Sequence, residues 1–233
     1  MKFIFYSHSD YSDIWPVLFG QCEKYLEKHD KVLFTNEGTA PDGWEVITYN
    51  DALPYQQRVV SCLEQLKDEI IVFSHEDMFL YDDMDLPQIQ EFKNLVRSDE
   101  VEFIKLLRGG YTDDKKESSL HQNLLTSPPD MIFTIQPTIC KVKNLITVYR
   151  DTSGDSIWSF EANAYLTTSK NNFKGCMVYR EGDSKRGMHH WDSSIYPYFA
   201  TAIVKGKWYI SDYPHLREVL QDYNIDISLR GEV

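Results

Sequence analysis

The sequence lacks a long apolar run, a close cysteine pair and any cluster of basic residues. A membrane-spanning helix needs roughly 18 or more consecutive apolar residues, and no such stretch occurs in the 233 residues. The polar residues after Tyr6 make the first apolar stretch too short for a signal peptide. The four cysteines form no Cys-x-x-Cys pair, which excludes a zinc ribbon. We therefore expect reduced thiols, no transmembrane segment and a cytoplasmic protein.

Positive charge is also scarce. The chain has 24 Lys and Arg residues against 36 Asp and Glu residues, a formal net charge of -12. An acidic surface repels phosphate backbones, so we expect no nucleic-acid partner. Neither Gly-x-x-x-x-Gly-Lys-Ser/Thr nor Gly-x-Gly-x-x-Gly occurs, which argues against a glycine-rich phosphate loop. A small nucleotide held through a metal ion remains compatible with this charge.

Core-forming residues, by contrast, are plentiful. Apolar residues make up 42% of the chain and charged residues 26%, as in ordinary globular proteins. A chain of this length buries roughly 70% of its unfolded surface, so one large core forms without disulfides or metals. We therefore expect a single domain over residues 1–233.

Residues 1–110 alternate between strand-like and helix-like segments. Their apolar spacing predicts strands at 2–6, 32–35, 44–49, 69–74 and 101–107, and helices at 14–29, 55–66 and 86–96. This order predicts an α/β fold in which a mostly parallel sheet is sandwiched by helices. The other half is predicted to be loop-rich, with a strand at 131–136, loops at 163–174 and 182–187, and a final helix near 215–223.

The predicted strand at 69–74 runs directly into an acidic cluster that begins with Glu76 and Asp77. Ligands of open α/β sheets bind at the carboxyl ends of the strands, so we expect these two carboxylates to face a crevice. Oxygen ligands at a strand end suit a hard divalent cation, which can also bridge a pyrophosphate. The alternative is that both residues cap the next helix.

A second pattern, Trp158-Ser159-Phe160-Glu161, places a carboxylate after two aromatic residues. Aromatic rings stack on the apolar face of a pyranose, and a partly buried carboxylate can take the proton from an attacking hydroxyl. The pattern therefore indicates sugar chemistry around Glu161, with Asp155 as a second carboxylate close by. The alternative is a core Trp-Phe pair, with Glu161 capping a helix or forming a salt bridge.

With these features, the whole chain resembles a GT-A glycosyltransferase of the small bacterial and viral type. The resemblance rests on the short first strand, Phe73-Ser74-His75-Glu76-Asp77, Trp158-Ser159-Phe160-Glu161 and the segment 196–208. It implies a GT-A-like, Rossmann-like fold with a nucleotide-sugar-binding half at 1–110 and an acceptor-binding half at 111–233. It also implies a nucleotide diphosphate sugar donor, a glycan acceptor, and an inverting displacement with Glu161 as the general base and Asp155 as the second candidate for that role.

The resemblance further implies where the donor and a metal ion would bind. A Mn²⁺ or Mg²⁺ ion would be held by Asp77, His75 and His189. His75 stands where the family's Asp-x-Asp pattern has its first aspartate, and histidine ligates Mn²⁺ more readily than Mg²⁺. The donor would contact the strand ends and one helix, at Tyr6, Ser7, Asp10, Asn50, Arg58, Glu76 and Asp77.

On the acceptor side, the resemblance implies contacts from Trp158 and Gln136. Arg180 would offset the negative charge of the departing pyrophosphate. Purely structural roles stay open for three of the implied site residues: a helix cap for Asp10, a solvated loop residue for Arg180, and a surface or core residue for His189.

Two other function classes stay open. A nucleotidyl- or phospho-transferring α/β enzyme would use the same acidic strand end, although the chain has no glycine-rich phosphate loop. A non-catalytic, transferase-like module would bind carbohydrate without any nucleotide.

Overall fold

Eight strands form a central sheet in a computed structural model that describes residues 1–67, 69–110, 114–187 and 189–233. The strands are β1 Lys2–Tyr6, β2 Lys31–Thr35, β3 Trp44–Thr48, β4 Ile70–His75, β5 Phe103–Lys105, β6 Leu124–Thr126, β7 Thr138–Lys141 and β8 Gly175–Val178. The helices are α1 Trp15–Leu26, α2 Tyr55–Leu63, α3 Leu86–Arg97, α4 Val142–Asp151, α5 Ile157–Lys170 and α6 Leu216–Asp222. Two hairpins pair β9 Lys185–Arg186 with β10 His190–Trp191, and β11 Ile203–Val204 with β12 Lys207–Trp208.

The strand order across the sheet is β3-β2-β1-β4-β7-β5-β8-β6. Strands β1 to β4 pair in parallel. Strand β7 is antiparallel to both β4 and β5, so β5 and its parallel neighbour β8 run in the same direction as β4. The predicted fold class is confirmed as a mostly parallel, Rossmann-like α/β sheet flanked by helices. The carboxyl ends of β1 to β5 therefore meet at one edge, which we call the carboxyl edge.

Both faces of the sheet are buried. On one face, Phe5, Leu33 and Val72 lie in an apolar cluster that includes residues of α1 and α3. On the other face, Phe34 and Ile71 lie in a second cluster with residues of α2, α4 and α5. Double burial explains why these strands are continuous apolar runs in the sequence rather than alternating ones. Charged side chains can therefore reach solvent or a ligand mainly where the strands end.

Most elements of the N-terminal half lie where the sequence predicts them. The structure confirms strands at all five predicted positions and helices at the three predicted ones, with ends that differ by a few residues. The final predicted helix, near 215–223, is confirmed as α6.

Three predictions in the C-terminal half are wrong. Segment 131–136, predicted as a strand, is irregular, and the strand begins only at Thr138. The apolar start of this segment packs against β8 instead of pairing, because Gly175 has no side chain where the Ile132 backbone approaches. The predicted loop at 163–174 lies largely in α5, and that at 182–187 contains β9.

The later turns of helix α5 were not predicted, because only the start of the helix carries a clear local signal. A capping box between Ser156 and Ser159 starts the helix. Phe160 and Ala164 then bury one side of it against the sheet. Its last turns are rich in Thr and Ser, which favour loops when judged by sequence alone.

The four cysteines are all buried and unpaired, as expected for reduced thiols. Across the described residues, no helix is both long and apolar enough to cross a membrane. The division into a nucleotide-sugar-binding half and an acceptor-binding half stays a prediction.

Ile71→Ala should reveal how far the protein depends on the double burial of β4. Ile71 is fully buried, so the cavity should lower the free energy of unfolding by about 2–5 kcal/mol. Leu166→Ala is the matched control, because Leu166 is 53% exposed on α5 and should change stability by less than about 0.5 kcal/mol. Urea unfolding measures both, and equal midpoints for the two variants would contradict the assignment of β4 to the core.

Candidate functional site

The carboxyl edge brings together the ends of three neighbouring strands. The Ser7 backbone N–H donates to the Phe34 carbonyl at 2.9 Å, and the Glu76 N–H donates to the Tyr6 carbonyl at 3.2 Å. The Ser9 N–H donates to the Asn36 side-chain oxygen at 2.8 Å. The loops after β1, β2 and β4 are therefore joined by hydrogen bonds into one rim, and the ligand crevice expected there stays a prediction.

Tyrosine rings line the edge beneath this rim. Tyr6 stacks on Tyr49 with ring centroids 5.4 Å apart and meets the edge of Tyr55 at 5.3 Å. The Tyr49 hydroxyl donates to the Ser7 carbonyl at 2.7 Å. Tyr6 is therefore mostly buried in an aromatic cluster, and the loop that begins at Ser7 is held firmly above it.

His75 belongs to the same aromatic cluster. Its Nε2 atom lies 3.1 Å from the Tyr55 hydroxyl, which is itself 3.0 Å from the Tyr149 hydroxyl. Burial lowers the pKa of His75 to about 4, so the imidazole is neutral at pH 7. One ring nitrogen is therefore already engaged by a tyrosine, and the metal-ligating role implied for His75 stays a prediction.

Glu76 and Asp77 are adjacent carboxylates at the end of β4. Burial raises the pKa of both carboxyl groups, and the nearby Asp77 charge raises the pKa of Glu76 further. The cost of burying the Asp77 charge is partly offset, because the Thr201 hydroxyl donates to its Oδ2 atom at 3.0 Å. The Ala202 N–H also donates to the Asp77 carbonyl at 3.0 Å. Hydrogen bonds to residues 201 and 202 therefore hold Asp77 in place. Two adjacent carboxylates with little compensation favour a ligand that brings positive charge.

The cation whose charge acts on both carboxylates is Arg230, from the far end of the chain. Its guanidinium donates hydrogen bonds to both carboxylate oxygens of Asp13, at 2.6 and 2.5 Å. It also lies 5.1 Å from the centre of the Tyr11 ring. Its charge lowers the pKa of Glu76 and Asp77, but less than burial raises it. Arg230 therefore only partly balances the acid pair.

Arg58 and Asn50 lie at the next strand end. Arg58 is 2.8 Å from an Asp51 carboxylate oxygen and donates to the Leu53 carbonyl at 2.6 Å. The exposed Asn50 side chain accepts from the Ala52 N–H at 3.0 Å. These contacts tie Arg58 to the loop after β3, so a role at a diphosphate requires it to exchange those partners.

Asp10 lies on the surface of the loop after β1. Its side chain is 3.4 Å from His8, and its backbone N–H donates to the His8 ring. His8, rather than Asp10, therefore caps the short 3₁₀ turn Ser9–Ile14. The nucleotide contact implied for Asp10 stays a prediction.

The implied acceptor side is built around the irregular segment 131–137. The Ile135 N–H donates to Glu161 Oε1 at 2.6 Å. The Gln136 side chain accepts from the Tyr198 hydroxyl at 2.7 Å and donates to the Ala200 carbonyl at 3.2 Å. Trp158, one helical turn before Glu161, is 76% exposed. The structure therefore attaches Glu161 of α5 to Ile135, the residue before Gln136, and leaves Trp158 open to solvent.

Arg180 and His189 lie in the loops after β8. Arg180 forms a 2.5 Å salt bridge with Asp85, the N-cap of α3. His189 is exposed, and its carbonyl accepts from the Gly110 N–H at 2.8 Å. Arg180 is thus fixed to a helix start, and the ligand contacts implied for both residues stay predictions.

Several residues of the site were not singled out from the sequence. Thr201 and Arg230 are more than one hundred residues from the acid pair in the sequence, so no local pattern could place them there. Lys105 did carry a signal, because it is a charged residue inside the apolar strand predicted at 101–107. In the structure Lys105 is buried at the end of β5, and burial lowers its pKa to about 7.

Comparison with known proteins identifies a fold and no family. No protein-family model and no curated protein matches the sequence. A bifunctional IspDF from Campylobacter jejuni is similar over 78% of this chain at 12% identity, with a TM-score of 0.46, and this chain spans 50% of its length. A UDP-glucose pyrophosphorylase complexed with UDP-glucose is similar over 76% of this chain and 89% of its own, at 8% identity and a TM-score of 0.50. At such identities the likeness shows the α/β fold alone.

The acid pair should make stability depend on pH. Carboxyl groups with a raised pKa bind more protons when folded than when unfolded, so stability falls as pH rises through that range. The unfolding free energy of the wild type, relative to a Glu76→Gln/Asp77→Asn variant, should drop between pH 4 and 7 by on the order of 2 kcal/mol.

Chemical denaturation over this pH range measures the drop. An Asp82→Asn/Asp83→Asn variant is the control, because it removes two exposed acids from the same segment. It should retain the wild-type slope. A flat difference between the wild type and the Glu76/Asp77 variant would show that the pair is not desolvated.

Proposed function

We propose that the protein is a transferase that acts on a nucleotide diphosphate sugar bound at the carboxyl edge. The observation that carries this proposal is the pair of adjacent carboxylates at the end of the central strand β4, the buried Glu76 and the half-buried Asp77. In a chain of net charge -12, a diphosphate would bind there only together with a cation. The UDP-glucose named in the similar pyrophosphorylase structure supports the choice of ligand class.

The residues of the pair fit a Mn²⁺ or Mg²⁺ ion. Both cations accept carboxylate oxygens, and Mg²⁺ is often bound through one or two carboxylates together with phosphate oxygens and water. Glu76 and Asp77 supply that number. Within the described ranges, no group of three or more His, Cys, Asp or Glu side chains is placed to hold an ion. A bound cation would offset the negative charge of the diphosphate.

Two reactions use such a complex, and they break different bonds. In nucleotidyl transfer, an oxygen attacks phosphorus and a P–O bond of the nucleotide breaks. The similar pyrophosphorylase favours this reaction over glycosyl transfer. Against it, the loop after β1, residues 7–14, contains neither glycine nor lysine to cradle a triphosphate.

Glycosyl transfer is the second candidate, and the position of Glu161 favours it. An acceptor hydroxyl attacks the anomeric carbon, the bond from that carbon to the diphosphate oxygen breaks, and the nucleoside diphosphate departs. The Glu161 carboxylate would take the hydroxyl proton. Its Oε1 atom already accepts from Ile135, which holds it beside the segment that contains Gln136. The exposed Trp158 ring, one turn away, offers an apolar face to the sugar of a glycan acceptor.

Product analysis separates the two reactions. The protein is incubated with a panel of nucleotide sugars and Mn²⁺, with either pyrophosphate or a mixture of glycan acceptors. Nucleotidyl transfer run in reverse yields a nucleoside triphosphate and a sugar phosphate, whereas glycosyl transfer yields a nucleoside diphosphate and an extended glycan. Phosphorus NMR and mass spectrometry identify these products. Glycan binding with no nucleotide dependence would instead support a non-catalytic module.

Asp77→Asn should weaken cation-dependent binding of the nucleotide sugar. The amide keeps the size of the side chain but removes the charge that a divalent ion requires. Calorimetric titration with a nucleoside diphosphate should therefore show Mn²⁺-enhanced affinity in the wild type and an enhancement at least tenfold smaller in the variant. Asp83→Asn, an exposed acid of the same segment, is the control. Equal Mn²⁺ enhancement in all three proteins would rule out the acid pair as the cation site.

Glu161→Gln tests glycosyl transfer directly. The amide cannot accept the hydroxyl proton, so kcat for glycan extension should fall by about 10²–10⁴-fold. Affinity for the nucleotide sugar should stay unchanged, because the donor is proposed to bind at the acid pair. Proton NMR of the product should show an inverted anomeric centre. Undiminished turnover in the variant, or a retained anomeric centre, would exclude Glu161 as the base of an inverting reaction.

A further inference from the structure

Helix α5 is apolar on two opposite sides. Phe160 and Ala164 are buried on the side that faces the sheet. Trp158, Ala162 and Tyr165 follow the spacing i, i+4 and i+7, which places them on one line along the outer side of the helix. All three are exposed, with 76% of Trp158 and 42% of Tyr165 open to solvent. We call these three residues the outer stripe.

The outer stripe is too small to hold a second protein chain. A Trp or Tyr side chain buries about 150–250 Å² when it is fully covered, so the partly exposed stripe and its neighbour Leu166 offer on the order of 400 Å². A stable protein interface takes roughly 800 Å² from each partner. Contiguous exposed apolar surface nevertheless marks a binding site, unlike apolar side chains exposed singly. A thin ligand therefore suits the stripe better than another copy of the chain.

The helix that carries the stripe has little charge. Two of its 14 residues are charged, Glu161 and Lys170, whereas 26% of the whole chain is charged. Its other polar residues are Ser, Thr and Asn, whose hydroxyl and amide groups are neutral. Such a surface does not attract phosphate groups or charged peptides. Aromatic rings among neutral hydroxyl and amide groups instead match the chemistry of an uncharged carbohydrate.

The spacing of the two rings matches a glycan chain. Tyr165 follows Trp158 by seven residues, a rise of about 10 Å along the helix axis. Alternate sugars of an extended glycan are about this far apart. Ala162 lies between the rings, and its small side chain leaves the path from one ring to the other open. Glu161 also lies between them along the axis, so a glycan that crosses both rings passes beside the proposed base.

We propose that the outer stripe is the platform for the acceptor, on which Trp158 and Tyr165 stack alternate sugars of a neutral oligosaccharide. This deepens the proposed glycosyl transfer, because it makes the acceptor a chain of three or more sugars rather than a single sugar. The role of the oligosaccharide as the acceptor rests on that proposed function, whereas its binding to the stripe does not.

Trp158 itself reports on binding, because it is the most exposed of the five tryptophans. Acrylamide quenching of tryptophan fluorescence is measured without nucleotide, in the presence of neutral gluco-, galacto-, manno- and N-acetylglucosamine oligosaccharides of one to six sugars. At least one series should protect Trp158 from the quencher, with an affinity that rises about tenfold from the single sugar to the tetrasaccharide. Loss of the protected signal in Trp158→Phe assigns it to Trp158.

Tyr165→Ala should remove the dependence of affinity on chain length, because the second sugar loses its ring. Tyr165→Phe keeps the ring and should retain the dependence. Leu229→Ala is the control, because Leu229 is an exposed apolar residue outside α5. A dependence on chain length that persists in Tyr165→Ala, or that no series shows, would overturn the proposal. Protection by phosphatidylcholine vesicles alone, or by raising the protein concentration alone, would also overturn it and assign the stripe to a membrane or to a second copy.

Turnover separates the platform from the proposed function. If the oligosaccharide is the acceptor, Tyr165→Ala should raise KM for a tetrasaccharide about fivefold and leave kcat unchanged. Chain-length-dependent binding with no transfer product would retain the platform and support the non-catalytic module instead of the transferase. Glycosyl transfer whose KM is the same for short and long acceptors, and the same in Tyr165→Ala, would retain the transferase and overturn the platform.

Discussion

A sheet that is apolar on both faces can carry charge only where its strands end, and this constraint organises the whole molecule. The aromatic and aliphatic residues of β1, β2 and β4 are fully enclosed between two layers of helices. Polar groups therefore collect at the two edges of the sheet. At the amino ends of the parallel strands, the Lys31 ammonium donates to three backbone carbonyls in the turn before β2. At the other, the charged groups are left with fewer partners, and that imbalance distinguishes the candidate site from the rest of the surface.

The electrostatic imbalance has the same form at two places on the carboxyl edge. Glu76 and Asp77 are two desolvated acids beside one cation, Arg230, that is already bound to Asp13. Lys105 is a desolvated cation with one backbone acceptor. Burying charge without full compensation lowers stability, so such arrangements are retained where a ligand or a reaction uses them. The first is the basis for the proposed cation and diphosphate.

The irregular segment 131–137 links these two places. It packs over Gly175, receives the Lys105 ammonium, holds Glu161 through Ile135, and reaches the segment around Tyr198 through Gln136. The neighbouring residues Thr201 and Ala202 bond Asp77. Hydrogen bonds and short stretches of backbone thus connect Glu161 to the acid pair.

The sequence by itself determined the α/β class, the strands and helices of the N-terminal half and the acidic end of β4, because each depends on residues close together in the chain. Apolar periodicity reports local structure, and a charge after a buried strand must lie at an edge. It could not determine that 131–136 leaves the sheet or that α5 continues past residue 163. Both depend on packing against β8 and the sheet face, which bring residues together from distant positions.

The candidate site divides in the same way. Glu76, Asp77 and Glu161 could be singled out because their chemistry is visible in short patterns. The partners of the acid pair, Thr201 and Arg230, come from distant positions in the chain. Burial, and with it the pKa of each group, depends on what covers a side chain in three dimensions. The residue types were therefore fixed by the sequence, whereas their charge states and partners were decided only by the tertiary structure.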